Sequence, residues 1–272
     1  MIIHSLQHYQ SALSIPTTRI VLLIFCQFTL LAPLAKADTR EATEEKISYL
    51  SKLITAEPER ASLYLQRADA HYLLNNLDKA ITDYSSAIRI DDRQDEAYFG
   101  RGMALGRQGL IREGIAELSV YLQRHPDSSV AYTKRGVRYI WIGDFDSAAR
   151  DLTTAIELNH NNAEAHDDLG VIYAKKGNNS LAAKHFQMTI QLDPTYQKAY
   201  HNLALVYHLS GHSQEALDIL NAGLALNPDN RNSMMLKSNI LSTLGREEEA
   251  QVANNIAEFL PDGNWSEHTP VQ

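Results

Sequence analysis

The residues best equipped for chemistry are histidines and carboxylates in the second half of the chain. His201 and His208 stand seven residues apart, two helical turns, and so share one face of a helix. Asp167 lies 34 residues before His201. Imidazole and carboxylate are ligands for zinc, and histidine titrates near neutral pH, so this group could hold a metal or set a pH-dependent contact. The spacing secures neither, because there is no pair as close as His-x-x-x-His on one continuous helix and His212 falls beyond Gly211. Plain surface histidines are the simpler reading and the one preferred. Asp167 and Asp168 are adjacent, so their side chains leave a helix in different directions, which suits solvation or ligand contact better than a paired acid and base. A phosphate-binding glycine loop, Gly-x-Ser-x-Gly and His-Glu-x-x-His do not occur. The expectation is a chain without catalytic residues, cofactor or metal, whose function is binding.

Composition narrows what could be bound. The 272 residues are 44% hydrophobic and 21% charged, ordinary for a chain that buries a core. A formal charge of -8 argues against nucleic acid, whose phosphates need clustered Lys and Arg.

Residues 1–37 contain no acidic side chain and two basic ones, Arg19 and Lys36, flanking the apolar run Ile20 to Leu34. Fifteen residues are short for a bilayer span, and Ala35-Lys36-Ala37 supplies a small-x-small cleavage pattern. The reading is a secretory signal peptide over 1–37, with an uncleaved membrane anchor as the alternative. Cleavage would remove Cys26, the only cysteine, and leave a net charge of -10. Export to a periplasm follows, with secretion beyond it as the other outcome.

From there a 34-residue period organises the chain. Tyr64, Tyr98, Tyr132, His166, Tyr200 and Met234 mark it. Four positions on stand Ala68, Gly102, Gly136, Gly170, Ala204 and Ser238, and sixteen on stand Ala80, Gly114, Ala148, Ala182, Ala216 and Ala250. Such small residues let two helices approach closely, and Gly136→Leu should overpack the seam. Eleven positions on, Asn75, Gly109, Gly143, Gly177, Gly211 and Gly245 suit the end of a helix, where φ turns positive. Pro58, Pro126, Pro194 and Pro228 fall on the same lattice and stop the second helix of a unit. Apolar residues recur at three and four, as in Ala148, Leu152, Ala155 and Ile156, and no segment alternates with period two. The fold is therefore all-α, built of helix-turn-helix units.

This pattern resembles the tetratricopeptide repeat family. The fourth unit reads His166, Leu169-Gly170, Tyr173, Ala182, Phe186, Thr189 and Pro194; the fifth reads Tyr200, Leu203-Ala204, Tyr207, Ala216, Leu220, Gly223 and Pro228. The resemblance implies a right-handed α-solenoid. It divides the chain into a capping helix within 38–60, six repeats (61–94, 95–128, 129–162, 163–196, 197–230, 231–262) and a tail, 263–272. The sixth repeat is degenerate, with Lys237 and Asn254 at usually apolar positions.

The resemblance also implies a concave groove lined by the first helices. The residues placed there are Leu65, Tyr72, Phe99, Met103, Val137, Ile140 and Trp141, largely apolar, then Asp167, Val171, Lys175, His201, Leu205 and His208, of mixed character. Apolar residues at this spacing could equally be core between repeats. Gly100 and Gly106 lie off the family pattern inside a helix, where they would open a concavity opposite Trp141, make a soft hinge, or simply weaken the repeat. The co-chaperone subtype that clamps a terminal carboxylate with Lys and Asn has Leu65 and Asp69 at the matching positions here, so that clamp is absent. The expected function is a non-catalytic scaffold in a bacterial cell envelope that binds a peptide or protein in its groove. The alternatives are a self-assembling structural solenoid and, less favoured, a metal or enzymatic site around His201 and His208.

Overall fold

The computed structural model describes residues 40–261, and the expected signal peptide and tail lie outside them. Among the described residues there are thirteen helices and no strand. Helix α1 covers 40–56. Six helical pairs follow: α2 (Ala61–Leu73) and α3 (Leu77–Ile90), α4 (Asp95–Arg107) and α5 (Ile111–Arg124), α6 (Ser129–Trp141) and α7 (Phe145–Leu158), α8 (Ala163–Lys175) and α9 (Asn179–Leu192), α10 (Gln197–Leu209) and α11 (Ser213–Leu226), α12 (Arg231–Thr243) and α13 (Glu247–Phe259). First helices begin every 34 residues, and so do second helices.

Each turn within a pair is closed by one residue at positive φ. Asn75 has φ 58°, and the equivalent glycines include Gly143 at 78°. Gly143 donates to the Ile140 carbonyl and Asp144 to that of Tyr139, which satisfies carbonyls the helix end would otherwise leave bare. The small columns carry the helix-to-helix contact: a Cβ on Gly114 would stand 2.8 Å from the Gly102 carbonyl, and one on Gly136 2.9 Å from Leu152 Cγ.

Each second helix packs on the next unit's first helix, which stacks the pairs. Successive first helices also touch (α2 with α4, α4 with α6, and so on to α12), whereas successive second helices do not. The array therefore curves with its first helices on the inner face, a right-handed α-solenoid. Leu50 and Ile54 of α1 bury against Leu63 and close the front of the stack. At the other end Met234, Leu236, Ile240, Leu241, Ala250, Ala253 and Ala257 join the core of the fifth unit.

One polar feature escapes the periodic reading. Arg67, Arg101 and Arg135, 34 residues apart, each meet a carboxylate sixteen positions on: Asp83 at 2.7 Å, Glu117 at 2.8 Å and Asp151 at 2.7 Å. Each also donates to a serine of the preceding second helix, Ser51, Ser85 or Ser119, at 3.0–3.1 Å. The ladder thus ties α1 to the first unit, the first to the second and the second to the third. It stops there, since the next two units have Leu169 with His185 and Leu203 with Ile219 at these positions.

Candidate partner-binding site

The inner face holds a cavity of about 340 Å³ walled by four consecutive first helices. Tyr72 and Leu73 come from α2, Met103 and Arg107 from α4, Lys134, Val137, Arg138 and Trp141 from α6, and Glu164 from α8. Tyr72, Met103, Val137 and Trp141 were placed in the groove from sequence, and the structure gathers them around one space.

The walls are more cationic than the apolar residues suggested. Arg138 is only 2% exposed. Its Nη1 donates to the Lys134 carbonyl at 2.7 Å, and its Nη2 reaches the Met103 carbonyl at 3.3 Å and Sδ at 3.2 Å. Nε has no partner. The guanidinium lies 5.5 Å from the Trp141 ring, and that of Arg107 lies 4.9 Å from the Tyr72 ring, so each cation rests on an aromatic face. Burial lowers the Arg138 pKa to about 10, which leaves it charged at neutral pH. Lys134 holds both oxygens of Glu164 at 2.7 Å.

The off-pattern glycines acquire a different meaning from the one expected. A Cβ on Gly106 would sit 2.4 Å from Arg138 Nε, and one on Gly100 2.4 Å from the Tyr84 ring. The concavity anticipated for a ligand side chain is occupied by the protein's own Arg138 and Tyr84. Arg138 went unrecognised because arginine at such a position is ordinarily solvated; the signal was Gly106, in the neighbouring unit.

The other expected groove residues do not join this cavity. Phe99 leans on Tyr121 at 5.2 Å, in the seam between the second and third units. Leu65, Ile140, Val171 and Leu205 are partly buried against the core clusters of their own and adjoining units. These are inter-repeat packing positions, the other reading that helical spacing allows. Lys175 is exposed, 6.0 Å from the Phe145 ring.

Asp167, expected to contact ligand or solvent, is fully buried. It takes Lys198 at 2.9 Å and the Asn202 amide at 3.2 Å, because an unpaired charge at that depth would be costly. Asp168 beside it has only a 4.0 Å approach from Lys198, and Oδ2 accepts no hydrogen bond. Burial, with the charges of Asp167 and Glu164, raises its pKa to about 7. His201 Nδ1 meets Ser233 Oγ at 3.1 Å, and burial lowers its pKa to about 4. His208 Nδ1 meets Ser213 Oγ at 3.1 Å. Asp167, His201 and His208 thus face separate partners, and among the described residues no three His, Cys, Asp or Glu side chains converge on a metal-sized site.

Comparison with known proteins agrees with the periodic architecture. A family model described as TPR repeat matches residues 68–109 and 136–177, and a second, tetratricopeptide repeat, matches 185–218. These segments are tetratricopeptide repeats. No curated protein matches this repeat protein in sequence. Among solved structures, a chain of the APC/C hetero-tetramer Cut9–Hcn1 is similar with a TM-score of 0.67 at 18% identity, over 79% of this chain and 42% of that one. The present repeat protein therefore spans about two fifths of that relative's length. A tetratricopeptide repeat protein from Parabacteroides merdae gives 0.65 at 19% identity, over 81% and 87% of the two chains. YrrB, described as a TPR protein with an unusual peptide-binding site, gives 0.55 at 23%, over 68% and 95%.

Proposed function

We propose that this repeat protein is a non-catalytic scaffold that binds a segment of a peptide or protein partner along its inner face, in a bacterial cell envelope. The observation that carries the reading is the cavity walled by α2, α4, α6 and α8, since an extended segment crossing it would touch four units at once. Rigid aromatics beside paired and unpaired charges are the usual anchors of such contacts. YrrB's peptide-binding site adds support from a shared fold. The envelope location rests on the leader pattern of residues 1–37, which favours a periplasmic protein. Binding is favoured over chemistry because Asp168 and His201, the acid and the histidine of the expected site whose pKa values burial displaces, are enclosed in packing.

The test is capture from an envelope extract by the purified chain, beside a Met103→Glu, Trp141→Glu variant with unchanged circular dichroism. A partner held by the wild type and released by the variant supports the reading; equal capture by both refutes it.

Self-association is a second reading, favoured by the far end of the solenoid. Val252, Ile256 and Phe259 of α13 are exposed there, Phe259 to 90%, and form an apolar edge on the last pair. Light scattering across concentration separates the two: a mass that rises with concentration and falls to the monomer in Phe259→Ser supports assembly through this edge.

A further inference from the structure

We infer that the inner-face cavity is a receptor for a carboxylate carried by the partner segment, seated between Arg107 and Arg138. The inference rests on the binding role proposed above and names the chemistry of what is bound.

The decisive contrast is between Arg138 and the other largely buried arginines. Arg67, Arg101 and Arg135 each have a carboxylate at 2.7–2.8 Å. Arg138 is the most enclosed of the four and has none at ion-pair distance among the described residues; its hydrogen-bond partners are two backbone carbonyls and a thioether. Leaving a buried guanidinium without a counter-charge destabilises a fold, and this fold makes room for one by placing Gly106 against it. Arg107, on the opposite wall, also lacks a carboxylate among the described residues. Lys134 holds Glu164 at 2.7 Å, so around this one cavity, in a chain of net charge -8, two guanidinium groups have no carboxylate at ion-pair distance among the described residues.

The two guanidinium groups rest on Trp141 and Tyr72, which fixes their planes before anything binds. A carboxylate matches the planar fork of arginine, and its charge is best compensated where water is scarce. The apolar walls, Leu73 and Val137 among them, suit a hydrophobic residue beside the acid. The occupant is therefore an acidic residue with an apolar neighbour, or the terminal carboxylate of an apolar residue.

The test uses the full chain and four pools of labelled heptapeptides, randomised in their flanking positions and read by fluorescence anisotropy. The first has a central Glu and an amidated end, the second Gln in its place, the third phosphoserine, and the fourth Gln with a free terminal carboxylate. The Glu pool, the free-acid pool or both should bind at least about tenfold more tightly than the amidated Gln pool. The preference should disappear in Arg138→Met and shrink in Arg107→Gln, a surface change that leaves the packing intact. Whichever carboxylate pool leads identifies the source as side chain or terminus. Equal binding of all pools, abolished by Trp141→Glu, overturns the carboxylate assignment and leaves groove binding standing. Preference for phosphoserine over Glu overturns it in favour of phosphate. Retention of no pool by the wild type overturns both the assignment and the groove reading.

Discussion

Substituting Gly106 tests whether Arg138 is buried where the structure puts it. In an unobstructed helix, Gly106→Ala gains about 1 kcal/mol from propensity. Here the added methyl would stand 2.4 Å from Arg138 Nε and 2.7 Å from Nη2. Ordinary contact requires the guanidinium to retreat by about 1 Å, yet it is held by the Lys134 carbonyl at 2.7 Å and walled in by Met103. Overpacking of this kind costs about 1–3 kcal/mol, so the substitution should be neutral to destabilising by about 2 kcal/mol. With Arg138→Ala the obstacle is gone and the same methyl should stabilise by about 1 kcal/mol. The two sites should therefore couple by about 1–3 kcal/mol. Urea unfolding followed by circular dichroism measures the cycle. Hydrogen exchange of the α4 amides adds a local readout, since repeat arrays do not always unfold in one step. A full gain from Gly106→Ala with Arg138 in place, and no coupling, would show that the guanidinium does not lie over Gly106.

The arginine ladder gives an asymmetric expectation. Asp151→Ala strands Arg135 in a largely buried site and should cost about 3–5 kcal/mol, whereas Arg135→Leu with Asp151→Ile, the pair used by the fifth unit, should be near neutral; thermal unfolding of both variants decides. Two opposing pH dependences share the weakly acidic range. Asp168, raised to about 7 by burial and by Asp167 and Glu164, binds its proton more tightly folded than unfolded, so its contribution is present at low pH and is lost as pH rises from about 4 to 7. His185 and His201, lowered to about 4 by burial, contribute stability above their unfolded value near 6.5 that is lost as pH falls towards 4. Asp168→Asn should therefore abolish the loss on the alkaline side while the acid limb persists; an unchanged alkaline limb would contradict the burial of Asp168 beside Asp167. Gly136→Leu, which drives a side chain into Leu152, should lower the thermal midpoint of the array, and an unchanged midpoint would refute the seam.

The sequence made the repeats legible because each periodic column answers one local demand. Gly143 and its equivalents must turn the chain at positive φ, and Gly136 or Ala148 must admit a neighbouring backbone; neither demand depends on the rest of the fold. The site was less legible because its residues are chosen by neighbours 30 or more positions away. Arg138 is buried only because Gly106 leaves space in the previous unit, and Asp167 is enclosed only because Lys198 and Asn202 reach it from the next. Helical spacing could not separate Trp141, which borders the cavity, from Phe99, which packs on Tyr121, since both lie on first helices in adjoining units. The Arg67, Arg101 and Arg135 series is itself legible as a charge recurring every 34 residues with an acid sixteen positions on.

The ladder also bears on how such an array could grow or shrink. Each arginine grips a serine that recurs at the same interval, so excising residues 95–128 would bring Arg135 to Ser85 in place of Ser119, with Asp151 still opposite. The shortened protein would keep its polar fastening in step while losing Met103 and Arg107 from the cavity. Loss of this unit would thus leave the polar fastening in step but remove Gly100 and Gly106, the spaces that Tyr84 and Arg138 fill, so the seam would have to repack even as what the array holds changes.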